Sequence, residues 1–180
     1  MLIEFEGYMP QVSERAFIAP TAVLVGNVIV RDDASVWFGA VLRADHGEHA
    51  IVVGEGTSVQ DNCVIHVPLD RGTLIGKGVT LGHGVILEGC DIEDGAVIGM
   101  NSVVLQDACV GARSMLAAGS TVLPKVRIPP DSMAAGAPAT VKKPISGGAA
   151  WWIERSSHYY VELANRYRRQ GIDRLSSNVD

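Results

Sequence analysis

Thirteen aliphatic residues recur at six-residue spacing between Val53 and Ile128. They are Val53, Val59, Ile65, Ile75, Leu81, Leu87, Ile92, Ile98, Val104, Val110, Leu116, Val122 and Ile128. Ten of the twelve intervals are six residues long; the exceptions are ten residues (Ile65 to Ile75) and five (Leu87 to Ile92). A short fixed period marks a stacked repeat, and six is the period of a β-helix in which each hexapeptide forms one flat side.

The residues around the anchors fit such a prism. Two positions before most anchors stands something small: Cys63, Val79, Val85, Ala96, Ser102, Ala108, Ser114 and Ser120. Directly after several anchors comes Gly54, Gly76, Gly82, Gly99 or Gly111. A tight corner needs a large apolar plug, a small neighbour and a residue with no side chain where the backbone turns. Three sides close one coil, so residues three repeats apart stack about 4.8 Å apart. Val30, Val36 and Leu42 keep the phase upstream, and the repeat covers most of residues 18–133.

After Ile128 the repeat stops at Pro129 and Pro130, and A-A-G-A-P-A-T-V (Ala134–Val141) carries the Gly and Pro of an exit turn. From about Ala149 to Gln170 the period becomes helical, with Ile153, Tyr160, Ala164 and Tyr167 on one stripe. Gly171 is a C-terminal stop, and Arg166, Arg168 and Arg169 suit the negative end of the helix dipole. The expected organisation is a β-helix domain over residues 1–144 and a C-terminal helix in residues 145–180. That helix packs along a flat side, in its own chain or a neighbour's.

Composition excludes several function classes. The 180 residues suit one domain, or one domain with an appendage. A net charge of −5 with interspersed signs leaves no electrostatic footprint for nucleic acid or an anionic membrane. No apolar run reaches the ~18 residues of a transmembrane helix. Met1–Pro10 carries Glu4 and Glu6 and no basic segment, so it does not read as a signal peptide, and a cytoplasmic location is expected. Cys63, Cys90 and Cys109 form no CxxC pattern and read as buried small hydrophobes in a reducing compartment.

Positions just after an anchor face outward. Six of the thirteen hold Gly or Ala, but His66 follows Ile65 and Glu88 follows Leu87. Counting sides from Ile65 through Ile75 and Leu81 to Leu87 gives one complete coil, with Val67–Gly72 as a bulged loop. His66 and Glu88 are therefore expected one above the other, close enough to share an ion. His83 lies one side earlier, near a corner, and points away from that face. For the three to converge, His83 must come from another copy, and three parallel copies around a three-fold axis satisfy every interface at once. His46, His49 and His158 have no registered partner and read as surface histidines.

V-L-R-A-D (Val41–Asp45), V-Q-D-N (Val59–Asn62), the histidine after Val64 and Ile65, and L-G-H-G-V-I-L-E-G-C (Leu81–Cys90) resemble the gamma-class carbonic anhydrases and their bacterial relatives. The resemblance covers nearly the whole chain. It implies an all-β, left-handed parallel β-helix with a C-terminal α-helix, assembled as a homotrimer with Zn2+ at the subunit interfaces. By motif, His66 and His83 match the first two zinc-binding histidines, the second from the adjacent subunit. Arg43 and Asp45 match the family's R-x-D pair, and Gln60 and Asp61 its Q-D pair. There the Gln hydrogen-bonds the zinc-bound solvent, and Arg and Asp pair across the interface. A purely structural salt bridge is an equal reading for Arg43 and Asp61.

One departure stands out. The family's third ligand is a histidine in L-H-G-C, and this chain has L-E-G-C, with Glu88 in its place. A His2Glu set is a competent zinc site, but the carboxylate removes one unit of the charge that acidifies bound water. The family's acidic proton-shuttle residue is also absent; His46 stands there. The expected activity is reversible hydration of CO2 by a metal-bound hydroxide, with bicarbonate as the product. It would use Zn2+ or another divalent metal such as Fe2+ or Co2+, and run slowly because of Glu88. Two alternatives stay open. One is CoA-dependent acyl transfer or thioester hydrolysis of the hexapeptide-repeat type, without a Ser/His/Asp triad. The other is a non-catalytic trimeric scaffold or binding protein.

Overall fold

A computed structural model describes residues 1–173. All thirteen anchors are buried to within 3% exposure, and Val30, Val36 and Leu42 join them in one continuous core. Among the described residues, short strands of two to six residues stack into three sheets of seven, seven and eight strands, parallel except for the last pair. The first wall contains Val41–Ala44, Val64–His66, Ile86–Glu88 and Val103–Val104 in adjacent positions. The second contains Ile51–Val53, Thr73–Ile75 and Asp91–Ile92, and the third Ser58–Val59, Thr80–Leu81 and Val97–Ile98. The ten-residue interval leaves the stacking undisturbed, because Ile65 still pairs with Leu87.

The corners explain the small and glycine positions. Ser102 Oγ donates to the Ala117 carbonyl (3.1 Å), Ser114 Oγ to that of Pro129 (2.7 Å) and Thr57 Oγ1 to that of Gly76 (2.6 Å). A short hydroxyl is thus tolerated inside the prism because it satisfies a carbonyl of the next coil. The glycine after an anchor serves close approach: a Cβ on Gly99 would stand 2.4 Å from the Ala118 nitrogen. The left-handed backbone falls elsewhere, three residues before the anchors, at Asn62, Asn101, Asp107 and Gly119 among others.

The coils begin earlier than the hexapeptide phase indicates. Leu2–Ile3 pairs with Leu24 and Val25, and Gln11–Val12 with Ile29 and Val30. At the other end, Ser132–Gly136 and Ala139–Pro144 form an antiparallel pair on the third wall. The helix Gly147–Arg169 then lies against the third wall of its own chain. Trp37 packs edge-on against Tyr167 (5.2 Å between ring centres) and Tyr160 (6.4 Å). Ala164 is buried as the stripe anticipates, and buried Ser156 and half-buried Leu163 widen it. Gly171, at φ +70°, closes the helix by donating to the Arg168 carbonyl. The expected C-terminal segment beyond residue 173 lies outside the described residues. Among these, no helix is long and apolar enough to cross a membrane.

Candidate metal centre

Alternation within the strands of the first wall places Ile65 and Leu87 inside and leaves their neighbours outside. Arg43, His66 and Glu88 occupy one outward column in direct parallel register. The adjacent outward column is apolar: Val41, Val64, Ile86 and Val103, with Val64 42% and Ile86 44% exposed.

His66 sits between two carboxylates. Its Nδ1 lies 3.2 Å from Glu88 Oε1 and its Nε2 3.2 Å from Asp45 Oδ1. Arg43 donates to the other oxygen of Asp45. Burial pushes the Asp45 carboxyl up, but the hydrogen bonds from Arg43 and His66 outweigh it and hold the group below its ordinary value. His46 is also drawn in. Its Nε2 is 4.0 Å from Asp45 Oδ1, and its ring stands edge-on to that of His66 at 5.6 Å. The expectation of a surface histidine without partners is therefore corrected. The loop after Asp45 is irregular, and hexapeptide counting cannot place what it carries. The sequence signals were His46's adjacency to Asp45 and its place at the family's proton-shuttle position.

The other site residues gather elsewhere. His83 follows Thr80–Leu81 at the corner between the third and first walls, and its Nδ1 is 2.8 Å from Asp61 Oδ2. Gln60 is buried beneath the helix and hydrogen-bonds Tyr160, whose phenol is pushed up by burial with that bond opposing it. Within one chain the structure brings Arg43, Asp45, His66 and Glu88 together and, separately, Gln60, Asp61 and His83. Arg43 pairs with Asp45, and Asp61 with His83.

The cysteines stand apart from this chemistry. Burial pushes the Cys63 and Cys90 thiols up to about 12, and burial also raises Cys109. None offers a ready thiolate near neutral pH, in keeping with a packing role.

No family model matches the chain. Among curated proteins it is similar to gamma carbonic anhydrase 2, mitochondrial, of Arabidopsis thaliana, at 37% identity over 161 residues, 86% of this chain and 57% of that protein. It is likewise similar to the carnitine operon protein CaiE of Escherichia coli K12, at 38% identity over 90% of this chain and 82% of CaiE. The chain spans about three fifths of the length of the plant relatives it matches. Among solved structures, a putative acetyltransferase from Bacillus cereus superposes with a TM-score of 0.91 at 33% identity, covering 94% of this chain and 98% of that one. A hexapeptide transferase family protein from Anaplasma phagocytophilum gives 0.87 at 35% identity, covering 93% and 98%.

Proposed function

Because the chain belongs to the gamma-carbonic-anhydrase family of left-handed hexapeptide-repeat β-helix proteins, we propose that it is a metal-dependent enzyme interconverting CO2 and bicarbonate where copies of the chain meet. The observation that carries this reading is the register of His66 with Glu88 on a wall flanked by exposed valine and isoleucine. A second copy seated on the Val64 and Ile86 column buries apolar surface and presents its His83, a corner residue, to that wall. Three such contacts close a homotrimer.

The residues present fit a divalent ion. Two imidazoles and a carboxylate form a donor set that zinc accepts, and His66 already directs each ring nitrogen at a carboxylate. A metal ligand of this kind uses one ring nitrogen for the ion and donates the other to an acceptor that fixes its orientation. His66, Glu88 and the partner subunit's His83 would hold Zn2+, or Fe2+ or Co2+. The ion, when bound, supplies Lewis acidity toward CO2 chemistry.

Around it, the Arg43 guanidinium attracts and orients the bicarbonate anion, and Asp45 holds that guanidinium in place. Asp61 does the same for His83. Gln60, buried beneath the helix and engaged by Tyr160, steadies the segment that carries Asp61 rather than touching substrate. Glu88 lowers the net charge of the centre by one unit, which slows the reaction relative to a three-histidine site.

The test is metal content of chelator-free protein together with stopped-flow CO2 hydration before and after chelation. About one ion per chain, with activity that falls on chelation and returns on reloading, is expected. Metal below about one ion per ten chains overturns the reading. The name of one solved neighbour, a putative acetyltransferase, favours a second reading, acyl transfer from acetyl-CoA. Acetyl-CoA turnover that is indifferent to chelator would select it.

A further inference from the structure

Two ladders of side chains turn from polar to apolar at the same coil, on different parts of the surface. The first runs along the corner between the third and first walls. Gly84 N donates to the Asp61 carbonyl, Asn101 N to that of His83 and Gly119 N to that of Met100. Asp61, His83, Met100 and Ala118 therefore stack one coil apart. The second ladder is the outward column that Arg43, His66 and Glu88 begin. Leu105 follows Val104, which pairs with Leu87, and Leu123 follows Val122, which pairs with Val104. The column thus continues into two leucines. Met100 is 52% exposed, Leu123 is exposed and Leu105 half-buried.

We propose that Met100 of one copy seats against Leu105 of the next, and that this apolar rung closes the C-terminal side of each subunit interface. The inference rests on the three-fold assembly proposed above and names the surface that a second copy covers.

Height along the prism selects the rung. A coil rises about 4.8 Å, and each of its three sides rises about a third of that. A corner residue therefore lies slightly short of the first-wall strand that follows it, between that strand and the one a coil earlier. Cyclic closure allows no shift along the axis, so parallel copies meet at equal height. Asp61 then lies level with the gap between Arg43 and His66 of the partner subunit, which opposes unlike charges. Met100 lies level with the gap between Glu88 and Leu105 of the partner subunit. The thioether meets the column where that column turns apolar, and small Ala118 beyond it lets Leu123 approach. A mixed pairing, polar ladder against apolar, would bury charge without a partner; this alignment avoids it.

Sedimentation of the full-length protein as purified reads the rung, with thermal melts on every variant. Met100→Glu sets a carboxylate against Glu88 and Leu105 of the partner subunit and is expected to give a single chain. Leu105→Lys is expected to do the same by setting a hydrated ammonium against Met100. Met100→Glu/Leu105→Lys together are expected to return the protein to about three times the 19.1 kDa chain mass. Met9→Glu, at a comparably exposed methionine near the other end of the prism, is expected to leave the mass unchanged. A trimeric wild type with folded and equally trimeric single variants overturns the rung and leaves the shared centre standing. Single variants that dissociate, with no recovery in a folded double variant, overturn the pairing of Met100 with Leu105. A wild type of single-chain mass overturns the rung and the shared centre together. Recovery of the trimer in the double variant, with no metal bound by wild type, supports the rung and removes the centre.

Discussion

At the position after Leu87, one side chain sets the charge of the proposed interface centre. A carboxylate there cancels one unit of an ion's double charge, whereas an imidazole leaves both units to polarise what binds opposite. Glu88→His is therefore expected to raise the CO2-hydration rate at pH 7 by about tenfold or more. Stopped-flow measurement on metal-loaded protein reads it, and an unchanged rate would mean that Glu88 does not limit turnover. The cysteines give a pH dependence of known sign. Unfolded thiols ionise as pH passes 9.0, while buried Cys63 and Cys90 stay protonated to about 12. Their contribution to stability is complete below pH 9 and is lost between 9 and 12. Chemical denaturation of Cys63→Ala/Cys90→Ala should show a shallower decline across that window than wild type. Glu88 and Cys63 were legible in the sequence, because hexapeptide phase assigns each a side and a depth. His46 was not, because it follows the last residue that the phase can place.

At the scale of the coil, two kinds of glycine look alike in sequence and differ in physics. A Cβ on Gly99 would stand 2.4 Å from the Ala118 nitrogen and 2.6 Å from the Leu116 oxygen, both backbone atoms of the next coil. Gly119 has open space around it but a φ of +68°. Gly119→Ala is expected to cost about 1–2 kcal/mol of left-handed strain. Gly99→Ala is expected to cost at least the upper end of the roughly 1–3 kcal/mol of overpacking, because stacked backbones cannot yield as a side chain does. Equilibrium unfolding of the two variants measures the difference, and equal costs would contradict the stacking argument. The anchor row and the bulge at Val67–Gly72 were readable from period alone. Leu2–Ile3 and Gln11–Val12 were not, since no repeated plug precedes them and only pairing with the following coil makes them strands. The helix was readable through its aromatic stripe, but its docking on the third wall of its own chain was not.

For the whole molecule, the separation of the candidate residues into two groups matters most. Arg43, Asp45, His66 and Glu88 share one wall, while Gln60, Asp61 and His83 lie at or beside a corner. A closed three-fold assembly joins one group to the other, and Ile86 stands in the apolar column that would be covered. Ile86→Lys places a hydrated ammonium there without touching the buried Leu87. Sedimentation is expected to give about three times the 19.1 kDa chain mass for wild type and a single chain for Ile86→Lys. A wild-type protein that sediments at the chain mass would exclude a shared centre. The six-residue period by itself determined the prism, the buried anchors and the alignment of His66 with Glu88. Each follows from local steric rules repeated along the chain. Only the tertiary structure decided that Asp45 and His46 close around His66, that Gln60 lies under the helix, and that His83 engages Asp61. Those contacts join segments whose approach depends on an irregular loop, a docked helix or a corner, where no period runs.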